Sequence, residues 1–277
     1  MSMNNILCCA ATIAIISIYL NTISPSIAGG DSGELVAEGC ILGTAHPPGY
    51  PVFTLIARLG KLLATSFAPR AHSNLTFSVA NIMNLTSVIF TSIASFLISK
   101  IVIMCSKGNY VSGSLFSMGM FAFSPLIWQY AVTAEVFPLN TMFAALICYQ
   151  TLHFSQTRNI SIAVLGAFFC GLSLCNQHTI VLFEAPLIIW MLFLLRYVLM
   201  NQPIYIAILG FSFILGLSPY FYLPLAANYN PQPGSWGDVG TWDGFFHHFL
   251  RRDYGTRKIF SVLSPSFFNL YFSIKLF

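Results

Sequence analysis

The sequence predicts an all-α protein, a polytopic bundle of transmembrane helices. Of its 277 residues, 56% are hydrophobic and 7% are charged, whereas an ordinary soluble domain carries about 25% charged residues. The apolar runs are long and lack the period-two alternation of a transmembrane barrel, so helices are expected to satisfy the backbone inside a bilayer. The net charge of +4 is small and scattered, which excludes the basic surface of a nucleic-acid-binding protein.

The first elements are a span and a long polar loop. The apolar residues 6–23 predict a transmembrane helix. The polar stretch that follows, about 24–76, is interrupted by the apolar piece 50–67, which contains Arg58 and Lys61. These two charges disfavour a span, and they predict a helix that lies in the membrane interface.

The rest of the chain repeats this alternation of spans and loops. Apolar runs predict further spans at about 77–99, 111–131, 139–155, 160–177, 179–196 and 203–223. A second long polar loop covers about 226–261, and a last apolar segment begins at Val262 and is cut off at Phe277. We therefore expect a single transmembrane domain over residues 1–277, with a C-terminal region missing.

The distribution of charge orients the predicted spans, because basic residues in short loops favour the cytoplasm. One side carries Lys100, Lys107, Arg158 and Arg196, whereas the opposite short loops carry no Lys or Arg. We therefore expect both long loops to be lumenal or extracellular. Seven of the eight acids then lie on that face: Asp31, Glu34, Glu38, Glu135, Asp238, Asp243 and Asp253. The eighth, Glu184, lies early in a span that enters from the same face, and the sequon at Asn74 is the predicted glycosylation site there.

The segment GGDSGEL directly after the first span has two interpretations. Asp31 followed three residues later by Glu34 is the pattern of a helix capping box, with the glycines forming the turn before it. Alternatively, Glu34 and Glu38 lie on one helical face, so that the short helix would hold several carboxylates at the membrane rim. Neighbouring negative charge and partial burial raise the pKa of a carboxyl group, which favours a general base.

Three further segments combine a structural and a functional interpretation. The prolines and glycines of GTAHPPGYP predict a rigid, non-helical elbow, with His46 able to orient a phosphate or share a proton. Glu135, in TAEVFPLN, is either a boundary residue or a charge that needs a partner below the headgroups. His178, in NQHT, belongs either to a tight turn or to the lining of a site that binds sugar or phosphate.

The second long loop mixes aromatic, basic and acidic residues from Trp236 and Asp238 to Arg251 and Arg252. This pattern predicts an amphipathic helix at the interface. The two arginines suit a lipid phosphate, because a guanidinium group matches phosphate oxygens in a bidentate fork. Anchoring to ordinary headgroups is the alternative.

Taken together, GGDSGEL, AHPPGYP, TAEVFPLN, NQHT and the stretch from WGD to RRDYGT resemble a family of multi-spanning O-mannosyltransferases of the endoplasmic reticulum. The match runs in order over nearly the whole chain. Animal members of this family modify the IPT domains of plexins and related receptors. The resemblance implies a multi-pass endoplasmic-reticulum membrane protein with the fold of glycosyltransferases that use lipid-linked donors, here mannose on dolichyl phosphate. Family members continue into a large lumenal C-terminal region that is absent here.

The resemblance also implies roles for individual residues. Asp31 is the expected base that takes the proton from an acceptor Ser or Thr hydroxyl, with Glu34 supporting it, in an inverting transfer. His46, His178, Arg251 and Arg252 are candidates to stabilise the departing phosphate, and Glu135, Trp236 and Asp238 are the further expected donor- and substrate-binding residues. No metal site and no cofactor beyond the lipid-linked co-substrate are expected.

Two rival functions come from other classes. A transporter predicts ionisable residues near the bilayer midplane and interrupted helices in two related halves, whereas these acids gather at one rim and the sequence shows no internal repeat. A non-catalytic membrane scaffold would tolerate Asp31→Asn in any functional assay.

Overall fold

The fold is known from a computed structural model, which describes residues 3–67 and 79–254. Within these residues the chain forms helices and turns and no strand, which confirms the predicted all-α class. The helices are α1 (Met3–Thr22), α2 (Ser32–Ile41), α3 (Pro51–Phe67), α4 (Val79–Cys105), α5 (Val111–Ala122), α6 (Pro125–Ala131), α7 (Val136–Thr157), α8 (Ile160–Leu174), α9 (Val181–Asn201), α10 (Ile204–Gly216), α11 (Tyr222–Tyr229) and α12 (Trp242–Phe249).

Contacts between helix ends separate the charged residues into two groups. At one end, Lys100 Nζ donates to Asn5 Oδ1 at 2.6 Å, and Arg158 Nη1 lies 3.5 Å from the Leu194 carbonyl oxygen. We call this the basic end of the bundle. The opposite end, which we call the acidic end, holds the turns before α2 and α7 with their carboxylates. The separation agrees with the charge pattern of the sequence, and the compartment that each end faces stays a prediction.

Among the described residues, α1, α4 and the segment His178–Asn201 are each long and apolar enough to cross a membrane. Two predicted straight spans are instead broken. Residues 111–131 form α5 and α6, bent by 69°, and α10 is followed by residues 218–229 at an angle of 43°. Each break precedes a proline, Pro125 or Pro219. Proline lacks an amide hydrogen and disfavours the helical conformation in the residue before it, so a helix breaks there.

Close packing of α8 against α10 depends on two glycines. A Cβ atom at Gly171 would overlap the Phe213 carbonyl oxygen, and one at Gly216 would overlap the Phe168 carbonyl oxygen. Small residues at such crossings let helix backbones approach closely in a membrane. Near this crossing, in the first turn of α9, the buried Glu184 is hydrogen-bonded to Ser173 of α8.

The predicted interfacial segment 50–67 is the helix α3. Its buried face includes Phe53 and Ala57. Arg58 and Lys61 donate to the Cys40 carbonyl oxygen at 2.7 and 3.0 Å, because the last carbonyl groups of α2 have no partner within that helix. The position of α3 relative to a membrane stays a prediction.

The second long loop is shorter than the sequence predicts. Helix α11 continues to Tyr229, and the amphipathic helix expected farther along is α12. Asn74 and the apolar segment from Val262 lie outside the described residues.

Candidate active site

The candidate site begins at α2, where the expected capping box does not form. Asp31 is the N-cap residue, but its side chain makes no capping hydrogen bond, and its backbone is already helical at φ −80° and ψ −5°. Glu34 turns instead to His46: its Oε1 accepts from the His46 amide at 2.7 Å and lies 3.1 Å from Nδ1. The capping interpretation is therefore wrong, because the donors of His46 are better partners for Glu34 than the start of its own helix.

His46 links two elements through both ring nitrogens. Since Nδ1 lies against the Glu34 carboxylate, Nδ1 carries the proton, and Nε2 is left to accept from the Tyr50 hydroxyl at 3.0 Å. Burial raises the pKa of Tyr50 to about 12, so this hydroxyl stays a donor. The elbow predicted from the prolines is confirmed, because the Gly49 amide closes a turn on the His46 carbonyl oxygen at 2.8 Å.

Asp31 and Glu34 differ in access. The Asp31 side chain is 59% exposed, with Oδ2 3.8 Å from His46 Nε2, whereas the Glu34 side chain is 29% exposed and both its oxygens face His46 Nδ1. Asp31 can therefore approach a substrate hydroxyl while Glu34 fixes the imidazole. The sequence predicted that the two residues lie close together, and the family resemblance implied that Asp31 is the base and Glu34 supports it; that assignment stays a prediction.

Glu135 lies behind Asp31. It is the N-cap residue of α7 and is 6% exposed. A Cβ atom on Gly30 would lie 3.3 Å from Glu135 Oε1, which shows how closely the turn before α2 covers this carboxyl group. Burial, and then the charge of Asp31, raise the pKa of Glu135 to about 7, although the Asp31 and Val136 amides act in the opposite direction. Glu135 is thus a buried second carboxyl group beside Asp31.

Residues of the second long loop cover one side of the site. The rings of Trp236 and Tyr254 lie 6.3 and 6.5 Å from that of His46, both edge to face. The Arg251 guanidinium lies 5.0 Å from the centre of the Tyr254 ring, a cation–π contact. Its positive charge also lowers the pKa of Tyr50 against the stronger effect of burial. The Arg251 charge therefore acts on the cluster that contains His46 and Tyr50.

His178 lies in the same region of the structure. Because Tyr220 donates its hydroxyl hydrogen to the Leu174 carbonyl oxygen at 3.1 Å, it accepts from His178 Nε2 at 2.6 Å. Phe249 packs on both rings, with its ring centre 4.9 Å from that of His178 and 4.8 Å from that of Tyr220. Phe249 lies two residues before Arg251, so α12 connects this histidine to the cation.

Two buried polar contacts hold the second loop against the first. Glu38 Oε2 accepts from the Ser235 hydroxyl at 2.8 Å, and that hydroxyl accepts from the Thr44 amide at 3.0 Å. His248 lies 1% exposed, with Nε2 3.1 Å from the Ala45 carbonyl oxygen. Burial raises the pKa of Glu38 and lowers the pKa of His248 to about 4. The carbonyl contact makes Nε2–H of a neutral His248 the donor.

The structure leaves two predicted site residues outside this cluster. Asp238 is bonded to Thr241 at 3.4 Å in a separate polar cleft. Arg252 is exposed in the 3-10 turn Arg252–Tyr254, and within the described residues no hydrogen bond or ion pair joins it to the cluster. Sequence reasoning missed Tyr50 and Tyr254. The spacing of Tyr50, four residues after His46, was its one visible signal.

Among the described side chains, no three His, Cys, Asp or Glu residues come together as a group that could hold a metal ion. The expectation of no metal site stays a prediction. What the cluster offers is an exposed carboxylate, an oriented imidazole, a buried carboxyl group and a neighbouring guanidinium. Such a set can remove a proton and stabilise a departing anion.

Comparisons with known proteins point to one family. The family model described as the N-terminal domain of protein O-mannosyl-transferase TMEM260 matches residues 31–201. The chain is 39% identical over 250 residues to a mouse protein named protein O-mannosyl-transferase TMEM260. This alignment covers 88% of this chain and 33% of the mouse protein. The chain is 37% identical over 257 residues to a Dictyostelium discoideum protein of the same name, covering 88% of this chain and 30% of the relative.

The chain thus spans about a third of the length of these curated relatives. No solved structure matches it. The matched segment includes Asp31 and Glu34 at its beginning, then His46, Glu135 and His178, whereas Trp236 and Arg251 follow after its end.

Proposed function

This chain belongs to the TMEM260 family of protein O-mannosyltransferases, and on that basis we propose that it forms the membrane part of an enzyme that transfers mannose to protein. The donor is mannose on dolichyl phosphate, and the acceptors are Ser or Thr hydroxyls of folded receptor domains of the IPT type. The protein acts at the lumenal face of the endoplasmic-reticulum membrane, which its acidic end faces. The observation that carries this proposal is an exposed Asp31 carboxylate beside an oriented His46, in a cluster where the Arg251 charge acts on the neighbouring Tyr50.

In the proposed reaction, an acceptor hydroxyl oxygen attacks the anomeric carbon of mannose from the side opposite the phosphate. A new carbon–oxygen bond forms, and the bond from the anomeric carbon to the phosphate oxygen breaks with its electron pair. The hydroxyl proton passes to Asp31, which is the accessible carboxylate. A base in such a position contributes on the order of 10²- to 10⁴-fold to the rate. Inversion at the anomeric carbon follows from this in-line geometry.

The leaving group is a phosphate monoester, whose growing negative charge needs compensation. Arg251 is the proposed source of this compensation, because its charge acts on Tyr50 and its guanidinium packs on Tyr254. His178 donates its Nε2–H to Tyr220, so its other ring nitrogen carries no proton in the neutral form, and only a protonated His178 can also donate to the phosphate. Preorganised donors at the position where charge develops are often the largest single contribution to catalysis.

The contacts between Glu34, His46 and Tyr50 keep the base in position. With Nδ1–H held by Glu34, Nε2 carries no proton and accepts from Tyr50, so it donates no hydrogen bond to Asp31, whose Oδ2 lies 3.8 Å away. Tyr50→Phe leaves the buried Nε2 without its donor, which costs about 1 to 3 kcal/mol, so the unfolding midpoint should fall by a few degrees. Because Nε2 is then free to take up a proton and bond Asp31, kcat should also fall, by about tenfold. A kcat equal to that of the wild type would remove this role.

The breaks in the helices do not separate an enzyme from a transporter. Interrupted helices of transporters place their breaks at the bilayer midplane, beside the substrate. Here α5 and α10 both start at the basic end and break after 12 and 13 residues, which is about 18 to 20 Å into a hydrocarbon core of about 30 Å. The family model and both curated relatives, which are named as protein O-mannosyltransferases, are what favours an enzyme.

The proposal is tested by transfer assays on the full-length protein. Purified protein is incubated with dolichyl-phosphate-linked mannose and a folded IPT domain, and the mass gain of the acceptor is measured. Asp31→Asn should abolish transfer, whereas the matched control Asp243→Asn, which changes an exposed acid in the first turn of α12, should retain it. Unchanged transfer by Asp31→Asn would remove Asp31 from the reaction.

A further inference from the structure

A groove of about 470 Å³ lies between the second long loop and the helices below it. One wall is the bent segment after α10, with Leu217, Tyr220 and Phe221, and the other wall is α12, with Phe245 and Phe249. Its volume is in the range of small-molecule sites, which are mostly apolar with a few oriented polar groups. None of the catalytic roles proposed above uses this groove.

The two ends of the groove differ in chemistry. At one end, Ile214 and Phe221 are 63% and 68% exposed on helices that the sequence predicts to face lipid. At the other end, Tyr220 and Phe249 surround His178, and Arg251 follows two residues after Phe249. An apolar channel therefore leads from a lipid-facing surface to the cation of the candidate site.

The polar residues in the groove wall have their own partners. Asn228 Nδ2 donates to the carbonyl oxygens of Pro224 and Gly240 at 2.8 and 3.2 Å. The Thr241 hydroxyl lies 3.1 Å from the Asp238 carbonyl oxygen and accepts from the Gly244 amide at 3.2 Å. Because these donors are already used, the groove offers few hydrogen bonds to a polypeptide backbone, and its chemistry fits a hydrocarbon chain.

The expected position of the groove relative to the membrane also fits a lipid. On α12, Trp242, which also lines the groove, and Phe246 are 76% and 48% exposed and stack with their ring centres 6.4 Å apart. Exposed tryptophan on an amphipathic helix is typical of the headgroup level of a membrane. A chain that leaves the bilayer core would therefore pass under α12 before its phosphate reaches Arg251.

We propose that this groove binds the first isoprene units of the donor's polyisoprenyl chain and thereby places the phosphate at Arg251. This inference rests on the proposed function, since it concerns the lipid part of the same donor. The groove then selects for a branched hydrocarbon chain, and the carboxylate site selects for the sugar.

A matched pair of variants in the full-length protein tests the groove. Ile214→Trp fills its membrane end, whereas Phe211→Trp adds the same side chain three residues earlier on α10, at a site that is 68% exposed and outside the groove. The donors are mannosyl phosphates that carry either a long polyprenyl chain or a two-isoprene chain. Ile214→Trp should raise KM for the long-chain donor by about tenfold at unchanged kcat, the pattern of lost uniform binding, and should leave KM for the short-chain donor within about twofold.

Equal effects of the two tryptophans, or equal effects on both donors, would overturn the groove assignment. A second measurement uses the unmodified protein in membranes with a photoreactive long-chain polyprenyl phosphate. Its crosslinks should map to residues 214–229 or to α12, and excess dolichyl phosphate should suppress them while phosphatidylcholine does not. Crosslinks confined to other helices, or none, would refute the groove even if transfer is normal. If the wild type transfers no mannose, the proposed function fails, and the crosslinks alone then decide the groove.

Discussion

Replacement of Glu135 by glutamine should change how the stability of the protein depends on pH. Glu135 is 6% exposed, and burial together with the Asp31 charge raises its pKa from 4.5 to about 7. The folded state therefore binds a proton that the unfolded state releases. A group of this kind adds stability below its unfolded pKa, and that contribution is lost as pH rises through about 7.

The size of the effect follows from the two pKa values. At about 1.4 kcal/mol per pKa unit, the rise from 4.5 to about 7 corresponds to on the order of 3 kcal/mol between acidic and mildly alkaline conditions. Glutamine has nearly the shape of the protonated side chain and cannot ionise. Glu135→Gln should therefore match the wild type at pH 5 and exceed it in stability at pH 8.

The assay is the thermal unfolding midpoint of the purified protein in detergent, measured from pH 5 to pH 8. At about 2 to 4 °C per kcal/mol, the variant should gain several degrees over the wild type at the alkaline end. Asp243→Asn removes an exposed acid of α12 and should follow the wild-type curve. Parallel curves for Glu135→Gln and the wild type would refute the burial argument.

Two further predictions concern packing and the closure of the second loop. Gly171→Ala should lower the unfolding midpoint, since its Cβ atom would overlap the Phe213 carbonyl oxygen and overpacking costs about 1 to 3 kcal/mol; Gly166→Ala, where the nearest atom lies 3.8 Å away, should lower it less. Equal losses would contradict this. His248 has its pKa lowered by burial from 6.5 to about 4, so its own contribution to stability should be lost as pH falls from about 6.5 toward 4. Because Glu135 acts in the opposite direction in this range, the quantity to measure is the stability of the wild type minus that of His248→Gln, which should fall as the pH is lowered. A difference that does not change with pH would show that His248 does not hold the loop to Ala45 in the neutral form.

The sequence was sufficient to predict where the candidate site lies but not which side-chain contacts form it. The charge pattern predicted that Asp31 and Glu34 lie at one rim of the bundle, because a carboxylate is costly inside a membrane and the spans leave few places for it. The contact of Glu34 with His46 depends on how the elbow folds back over α2. Local patterns favour the capping box there, since they do not include a partner 12 residues away.

Contacts between residues far apart in the sequence could not be predicted, for the same reason. His248 meets Ala45 across 203 residues, and Ser235 meets Glu38 across 197. The break before Pro125 was visible as a proline inside an apolar run, but hydropathy averaged over a whole span predicts a continuous helix there. The loop contacts place Arg251 over the ring of Tyr254, which lies 6.5 Å from that of His46, and no single motif indicates this.

The central claim is that the acidic end faces the compartment in which lipid-linked sugars and folded acceptors are present. Sealed endoplasmic-reticulum vesicles that contain the full-length protein, with Asp31→Cys introduced, are treated with a membrane-impermeant maleimide before and after permeabilisation. Cys105, exposed where α4 ends at the basic end, is the internal control. We predict that Cys105 reacts in sealed vesicles and that the cysteine at position 31 reacts after permeabilisation only. Labelling of position 31 in sealed vesicles, with Cys105 protected, would contradict the account.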